Sequence, residues 1–508
     1  MSILDWIDFG KVSAERDDNL SSYFYDNGVL GNIINSESGF LVLGRKGAGK
    51  TAIFKYLSEN KSSFLTPDDI LISQSFEDYN WNIHAILADT TKSQSMLYKQ
   101  SWKFVIYAEA INSISKFYKS NGQKAPDKIK KAAEMLEKLF DTPTPSLSQI
   151  VGKKLLQLSK LKLPSIGIDI ETGNLDSISA DAGEINFETF KVDKDLNQKL
   201  TENIDNISNI LEKALEESVG WPRTFLCFDR VDEAWDESSI ERSKPVIGGL
   251  VAAADSINAK FKNRLRPLIF LREDIFETLS INDANKLRED CGELLHWNRT
   301  ALNAMIIRRI NHYASQKGVA PISIIDGIFD KNEMRQRQKP FNYIIRRTMM
   351  RPRDLISMFS RIIKSMKEKE ENIFSEEIVS FEKLDCDSVY DAEPGYSEWL
   401  KQELIDEWGV QKPIIHKLFQ AIQSNGSTNI TKNILLENLK PIYPEATDIS
   451  IVNDLRFLFD NSIIGFKLGA SNEWKFKCFY PSQGFIDSEE YRIHDGLVRA
   501  LNLIEPRS

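Results

Sequence analysis

The chain has 508 residues, more than one hydrophobic core organises, so about two to four domains are expected. Hydrophobic residues make up 42% and charged residues 27%, an ordinary globular composition that excludes a disordered chain. The formal net charge of -9 excludes a whole-protein positive field for nucleic acid but leaves room for a local basic face.

No run approaches the roughly 18 apolar residues of a membrane-spanning helix, so no membrane association is expected. The start, Met1 to Trp6, carries Asp5 early and lacks the basic-then-apolar pattern of a signal peptide. Cys227, Cys291, Cys386 and Cys478 are widely spaced, and the five histidines are scattered, so no zinc signature is present. Cys227 lies in an apolar run and reads as a small buried thiol. These features fit a reducing cytoplasm.

In chain order, Gly39 to Leu43 is a short apolar run with the look of a buried strand. Gly44-Arg45-Lys46-Gly47-Ala48-Gly49-Lys50-Thr51 follows at once, and Ala52 to Leu57 reads as a helix. Strand, glycine-rich loop and helix are the context of a phosphate-binding P-loop. Glycines let backbone N–H groups turn toward a β-phosphate, and the helix N-terminus adds its free N–H groups and dipole. Gly44, Gly47, Ala48, Gly49, Lys50, Thr51 and Ala52 are the expected ATP-binding set, with Lys50 on the β- and γ-phosphates and the Thr51 hydroxyl on Mg²⁺.

Ile70 to Ile72 is the expected second strand. A long, mostly helical insertion follows at about residues 88–215, with helices at Trp102 to Phe117, Lys128 to Phe140 and Asn206 to Leu215. Asp141 to Ser146 reads as a break and Ile166 to Ile170 as an exposed strand or hairpin. The insertion is either a partner surface or a packing extension.

Thr224 to Phe228 is an apolar run ending in Asp229-Arg230-Val231-Asp232-Glu233. Asp229 is the expected metal-side acid, acting on Mg²⁺ directly or through water. The base that orients the attacking water is Glu233, slightly favoured for its reach, or Asp232. Both could instead cap the next helix. Arg266 to Leu271 is the fourth strand, tipped by Arg272 and Glu273, where Arg272 either senses the γ-phosphate or makes a surface ion pair. Glu293 to Trp297 is a short fifth strand. Five strands with the P-loop after the first predict a parallel α/β sheet with helices on both faces.

Beyond the sheet, Leu302 to Tyr313 reads as a helix containing Arg308. Arg351-Pro352-Arg353-Asp354 opens another helix, with Pro352 suited to its start. Arg353 sits in the first turn, where the dipole disfavours a cation. A γ-phosphate, an exposed basic patch or a DNA contact would each account for it. Arg288, Arg299 and Arg308 compete as fingers for a neighbouring subunit, with Arg288 preferred. Ser388 to Tyr396 is polar and reads as a boundary. Helices at Ser397 to Glu407, Ile414 to Ile422, Thr431 to Leu439 and Asp448 to Asp460, then a strand pair at Ile463 to Leu468 and Trp474 to Phe479, suggest a winged helix. Glu403, Asp406, Glu407, Asp448, Asp454 and Asp460 weigh toward a protein contact rather than DNA. The expected division is an N-terminal segment (1–33), a P-loop core (34–310), a helical lid (311–387) and a winged-helix-like domain (388–508).

Taken together, Asp8-Phe9-Gly10, Ala14-Glu15-Arg16, the P-loop, Phe228 to Glu233, Leu271 to Phe276 and Arg351 to Leu355 give the chain, over about residues 8–365, a family likeness. It resembles the STAND and initiator-like branch of AAA+ ATPases, and within it a bacterial family called simply P-loop ATPases. The resemblance implies a lid arginine (sensor 2) at Arg353, sensor 1 at Arg272, homo-oligomerisation, and ATP control of assembly or conformation. It also implies control of a protein effector, with relatives in antiphage defence or mobile-element loci. Arg230 departs from the pattern, since many AAA+ proteins have the catalytic glutamate there, and slow hydrolysis of ATP to ADP and phosphate follows. The leading expectation is a regulatory ATPase. The alternative is a DNA-dependent ATPase or loader using the C-terminal module. A guanine-reading motif after the acidic strand is absent, which counts against a GTPase.

Overall fold

The computed structural model describes residues 2–76, 94–140, 161–162, 179–180, 194–234, 240–279, 281, 283–371, 380–469 and 473–505. They form two compact units, one of residues 28–45 and 50–295, the other of residues 1–27, 46–49 and 296–508.

The first unit is built on a parallel sheet of β1 (Leu41–Gly44), β2 (Ile70–Ser75), β3 (Thr224–Asp229), β4 (Leu265–Arg272) and β5 (Gly292–Leu294), in the order β2-β3-β4-β1-β5. This is the strand order of an AAA+-type P-loop core, and all five expected strands are present. Every residue of β1 and β3 is buried, which is why both read as continuous apolar runs rather than alternating ones. The fifth strand is shorter than expected. Leu295 still donates to the Leu43 carbonyl at 2.7 Å, but His296 and Trp297 leave the sheet.

Strand β4 contains two residues that a central strand normally avoids. Pro267 is tolerated because pairing with β1 begins only at Ile269. Arg266 is fully buried, and its guanidinium donates to the carbonyls of Ile33, Ile34 and Gly39 at 2.7–2.8 Å. The carbonyls left open at the end of the helix Val29–Asn35 thus find a cationic donor.

The insertion is helical as expected, and its helices are longer than their apolar stripes suggest: Gln94–Ser120, Asp127–Phe140 and Lys194–Glu216. The first packs along Ile240–Phe261 and along Lys194–Glu216. Trp102 donates to the Val246 carbonyl at 3.0 Å, and a Cβ at Gly249 would meet the Tyr98 Cβ, so these two helices approach at a glycine. The expected break at Asp141 to Ser146 and hairpin at Ile166 to Ile170 lie outside the described residues.

The second unit holds the lid helices and the C-terminal module. The helix Arg299–Gln316 is capped by Asn298, whose side chain accepts from the Ala301 amide at 2.8 Å. The helix Pro352–Glu370 starts on proline as expected and buries Leu355, Phe359 and Ile362. The N-terminal motif residue Phe9 stacks on Phe359, centroids 4.6 Å apart.

One expectation is overturned. The polar stretch Ser388 to Tyr396 does not break the chain, because a single helix, Cys386–Trp408, runs through it. Its interior Pro394 costs roughly 3 kcal/mol in isolation. Burial of Val389, Ala392, Tyr396, Leu400 and Leu404 along one side offsets that cost. Glu393, which made the stretch look solvated, is 3% exposed and pairs with Arg347 at 3.1 Å and Arg499 at 3.2 Å.

The C-terminal module runs helix Ile415–Asn425, strand Asn429–Thr431, helices Lys432–Leu439 and Asp448–Asp460, strand Ile464–Lys467, a wing containing Trp474–Lys475, and strand Glu490–Ile493. Glu490–Ile493 lies between the strands Asn429–Thr431 and Ile464–Lys467, antiparallel to both, in winged-helix order. The first and last of these strands go unforeseen in the sequence: Asn429–Thr431 has only three residues, and Glu490–Ile493 interleaves Glu490 and Arg492 with its two buried residues and so shows no apolar run. Among the described residues no helix is long and apolar enough to cross a membrane.

Candidate functional site

The loop between β1 and the helix Lys50–Glu59 is shared: Gly44, Arg45, Lys50 and Thr51 belong to the sheet unit, and Lys46 to Gly49 to the other. Gly47 and Gly49 have φ of +78° and +105°, values that L side chains rarely adopt, so both glycines are required by the backbone path.

In the sheet unit, Lys50 is buried and folds back over the loop, its Nζ donating to the carbonyls of Gly44 at 2.9 Å and Arg45 at 3.2 Å. Burial holds its ammonium below the usual lysine range, against the opposing pull of Asp232 and Asp229. Asp229, at the tip of β3, is 2% exposed and hydrogen-bonded with Thr51. Burial pushes its carboxyl up to about 6, Asp232 adds to the rise, and Thr51 and Lys50 oppose it. The Asp229 Oδ2 is shut off from solvent with no hydrogen-bond partner. A hydroxyl beside a buried carboxylate with a free oxygen is a hard oxygen donor pair, and it fits Mg²⁺.

Arg230 has a φ of +60°, uncommon for a side chain of its size, and turns the chain into the short helical turn Val231–Ala234. The turn sets the half-buried Asp232 within electrostatic reach of Lys50 and Asp229. For Glu233 only the backbone of this turn is described. Arg272 lies opposite Gly44 in the β1–β4 register and acts on Lys50. Its guanidinium is held at 3.1 and 2.8 Å by the two carboxylate oxygens of Asp274. Arg288 is engaged by Glu273 and, at 3.3 Å, by Glu277 of its own unit. Ala52 stands half-buried in the first turn of the helix.

In the other unit, the tip of the loop is clasped by Arg353, the expected lid arginine, and by Trp297 and Arg351, for which the sequence suggests no contact with the loop. Trp297 donates to the Ala48 carbonyl at 2.7 Å and Arg351 to the Lys46 carbonyl at 3.2 Å. Arg353 packs on Gly47, where a Cβ would come within 3.1 Å of its Cβ and Cδ. Both arginines are answered by the helix Cys386–Trp408: Glu407 pairs with Arg351 at 2.8 Å and Glu403 with Arg353 at 3.0 Å. Asp354 completes the buried Arg351 network at 3.1 Å. The i,i+4 spacing of Glu403 and Glu407 was the available signal, since it places both on one helix face.

Two acids expected to burden a nucleic-acid face are therefore spent on internal arginines. A third, Asp454, is 2% exposed and paired with Lys412. Asp448 remains exposed on the helix Asp448–Asp460, along with Asn453 and Arg456.

The sequence of residues 300–405 matches a family described as the FunZ-associated C-terminal helical domain. A putative transposon gamma-delta 80.3 kDa protein of Escherichia coli (strain K12) is similar, 24% identical over 97% of this chain and 67% of that protein. Among solved structures, Cdc6p from Pyrobaculum aerophilum superposes with a TM-score of 0.31 and 11% identity, over 96% of this chain and 97% of that one. Drosophila ORC bound to DNA superposes with a TM-score of 0.29 and 12% identity, over 96% and 85% respectively. The AAA+-type assignment rests on the strand order and the position of the P-loop in it.

Proposed function

We propose that the chain is a slow, initiator-like AAA+ ATPase that binds ATP with Mg²⁺ and works on DNA through its winged-helix module. The observation that carries the nucleotide reading is the juxtaposition of buried Lys50, Thr51 and the orphaned oxygen of Asp229 at the end of a P-loop strand. Lys50 and the loop amides hold the phosphates, and Thr51 and Asp229 hold the metal. Bound Mg²⁺ supplies neutralisation of phosphate charge. Asp232 or Glu233 orients water, Arg272 and Arg353 sense the γ-phosphate, and Arg288 acts across a subunit contact. Arg230 in place of an adjacent glutamate keeps hydrolysis slow.

The DNA reading gains from the internal pairing of Glu403, Glu407 and Asp454, which takes three of the six acids out of the charge argument against it. It gains also from a relative named for a transposon, an element whose movement is DNA chemistry. Duplex DNA is expected to bind at about 50 mM salt, to be released by about 200 mM, and to raise the ATPase rate several-fold. Filter binding and a coupled phosphate-release assay read both effects. Equal rates with and without DNA, together with no binding at low salt, would reject this reading.

The Arg353–Glu403 pair favours a second reading, a conformational switch controlling a partner protein. Glu403 competes with the γ-phosphate for Arg353, so nucleotide binding would free the helix that leads into the winged helix. Glu403→Gln is expected to tighten ATP binding about 5-fold, a gain of ~1 kcal/mol. Unchanged affinity in equilibrium titration would remove the competition.

A further inference from the structure

The winged-helix side of the second unit contains a cavity of about 540 Å³ that the ATPase reading does not use. Its lining joins two kinds of side chain. Arg299, from the start of the helix Arg299–Gln316, Arg346 and Arg492 supply cations. Trp474, Phe479 and Tyr480, from the wing, supply aromatic surface.

The charges do not cancel. Asp495 lies 3.3 Å from both Arg346 and Arg492, and one carboxylate answers only one of them. Glu473 is answered by Lys475, whose ammonium also lies over the Tyr480 ring at 3.8 Å. Arg299 is exposed and makes no ion pair among the described residues. Two positive charges are left over, the complement of a phosphate monoester dianion, in a chain of net charge -9. His494 adds no charge near neutrality: burial between Phe476 and Phe479 holds it down at about 4. Gln338, also on the wall, has an Oε1 without a hydrogen-bond partner, an unused acceptor for a polar ring edge.

Arginine matches phosphate in geometry and charge, and aromatic faces stack on planar bases at a gain that tolerates any base. The volume falls in the range of small-molecule sites, roughly 300–1,000 Å³. We propose that this cavity is a second nucleotide site, separate from the P-loop, that takes a phosphorylated nucleobase, either as a free nucleotide or as the 5′-phosphorylated end of a DNA strand. The phosphate sits among Arg299, Arg346 and Arg492, and the base lies against Trp474 and Tyr480.

The test uses the full chain carrying Lys50→Ala, so that binding at the P-loop is strongly weakened and the Arg299 and Trp474 variants report on the cavity alone. Calorimetry with AMP and with a 5′-phosphorylated tetradeoxyadenylate is expected to show saturable one-to-one binding of at least one probe, at least 10-fold tighter than inorganic phosphate. Arg299→Ala and Trp474→Ala, each added to that background, are expected to weaken it at least 5-fold. Lys364→Ala, on an exposed helix face, leaves it unchanged. Tighter binding of AMP assigns the site to a free nucleotide, and tighter binding of the oligonucleotide assigns it to a strand end. The proposal is overturned if neither probe saturates up to millimolar concentration. It is equally overturned if the Arg299 and Trp474 variants, shown by thermal unfolding to be folded, bind as the background does.

Discussion

Lys50→Ala is expected to raise the dissociation constant for ATP about 100-fold or more. The side chain is the one buried cation at the start of the P-loop helix, and its contacts would be with the most highly charged part of the ligand. A charge-assisted contact of this kind contributes roughly 3 kcal/mol, which is about two orders of magnitude in affinity. The variant should still fold. Among the described residues Lys50 donates to the loop carbonyls of Gly44 and Arg45, and its charged form is disfavoured by burial. Removing it takes away an uncomfortable charge together with two hydrogen bonds, and these effects oppose each other. Equilibrium titration with a fluorescent ATP analogue reads the affinity, and circular dichroism confirms the fold. A folded variant that binds ATP as tightly as the wild type would dismiss the assignment of the loop.

Asp229→Asn is expected to separate stability from function. In the native state the carboxyl is raised from 3.8 to about 6, chiefly by burial. The native state therefore keeps its proton over a pH range in which the unfolded chain has lost it. Between about pH 4 and pH 6 the native state binds more protons than the unfolded state, so stability falls as pH rises, and the loss is complete above pH 6. The shift corresponds to about 3 kcal/mol. Without metal at pH 7, the asparagine variant should be more stable than the wild type by an amount of that order, and its stability should be flatter across pH 4–6. On the proposed reading hydrolysis should fall roughly 100-fold, because Mg²⁺ would lose the carboxylate that stands beside Thr51. Urea denaturation across pH, with and without Mg²⁺, tests the first part and a phosphate-release assay the second. A variant less stable than the wild type in metal-free buffer at pH 7 would contradict the electrostatics of the site.

What the sequence made legible and what it hid follow from where each signal resides. The sheet was readable because buried parallel strands are apolar on both faces, so β1, β3 and β4 stand out as runs. The P-loop was readable because its glycines, lysine and threonine lie together in sequence. Asp229 was readable from its place at the end of an apolar run, while its hydrogen bond with Thr51 spans two strands that are not neighbours in the sheet and has no local signal. Long-range pairings were not readable. Nothing local in Glu403 or Glu407 says that their partners are Arg353 and Arg351, some 50 residues earlier. Their negative charge looked like a solvated helix face, and the same error touched Glu393 and Asp454, both buried and paired. The continuous helix Cys386–Trp408 was hidden by the same residues together with Pro394, because composition reports polarity and not whether an arginine waits on the other side. The hydrogen bond from Trp297 to Ala48 escaped for a different reason. Trp297 seemed to end a strand, whereas the strand stops at Leu294 and the indole reaches the loop.

The central claim is that this chain binds ATP through its P-loop, and thermal unfolding of the wild-type protein with Mg²⁺ and ATP tests it most directly. A ligand that binds only the folded state stabilises it by about 2.7 kcal/mol at 100 times its dissociation constant. The account predicts a concentration-dependent rise in the unfolding temperature with Mg²⁺ and ATP, a smaller rise when Mg²⁺ is withheld, and a rise that needs about 100-fold more ATP in the Lys50→Ala protein. An unfolding temperature that stays the same up to millimolar ATP with Mg²⁺ would contradict it.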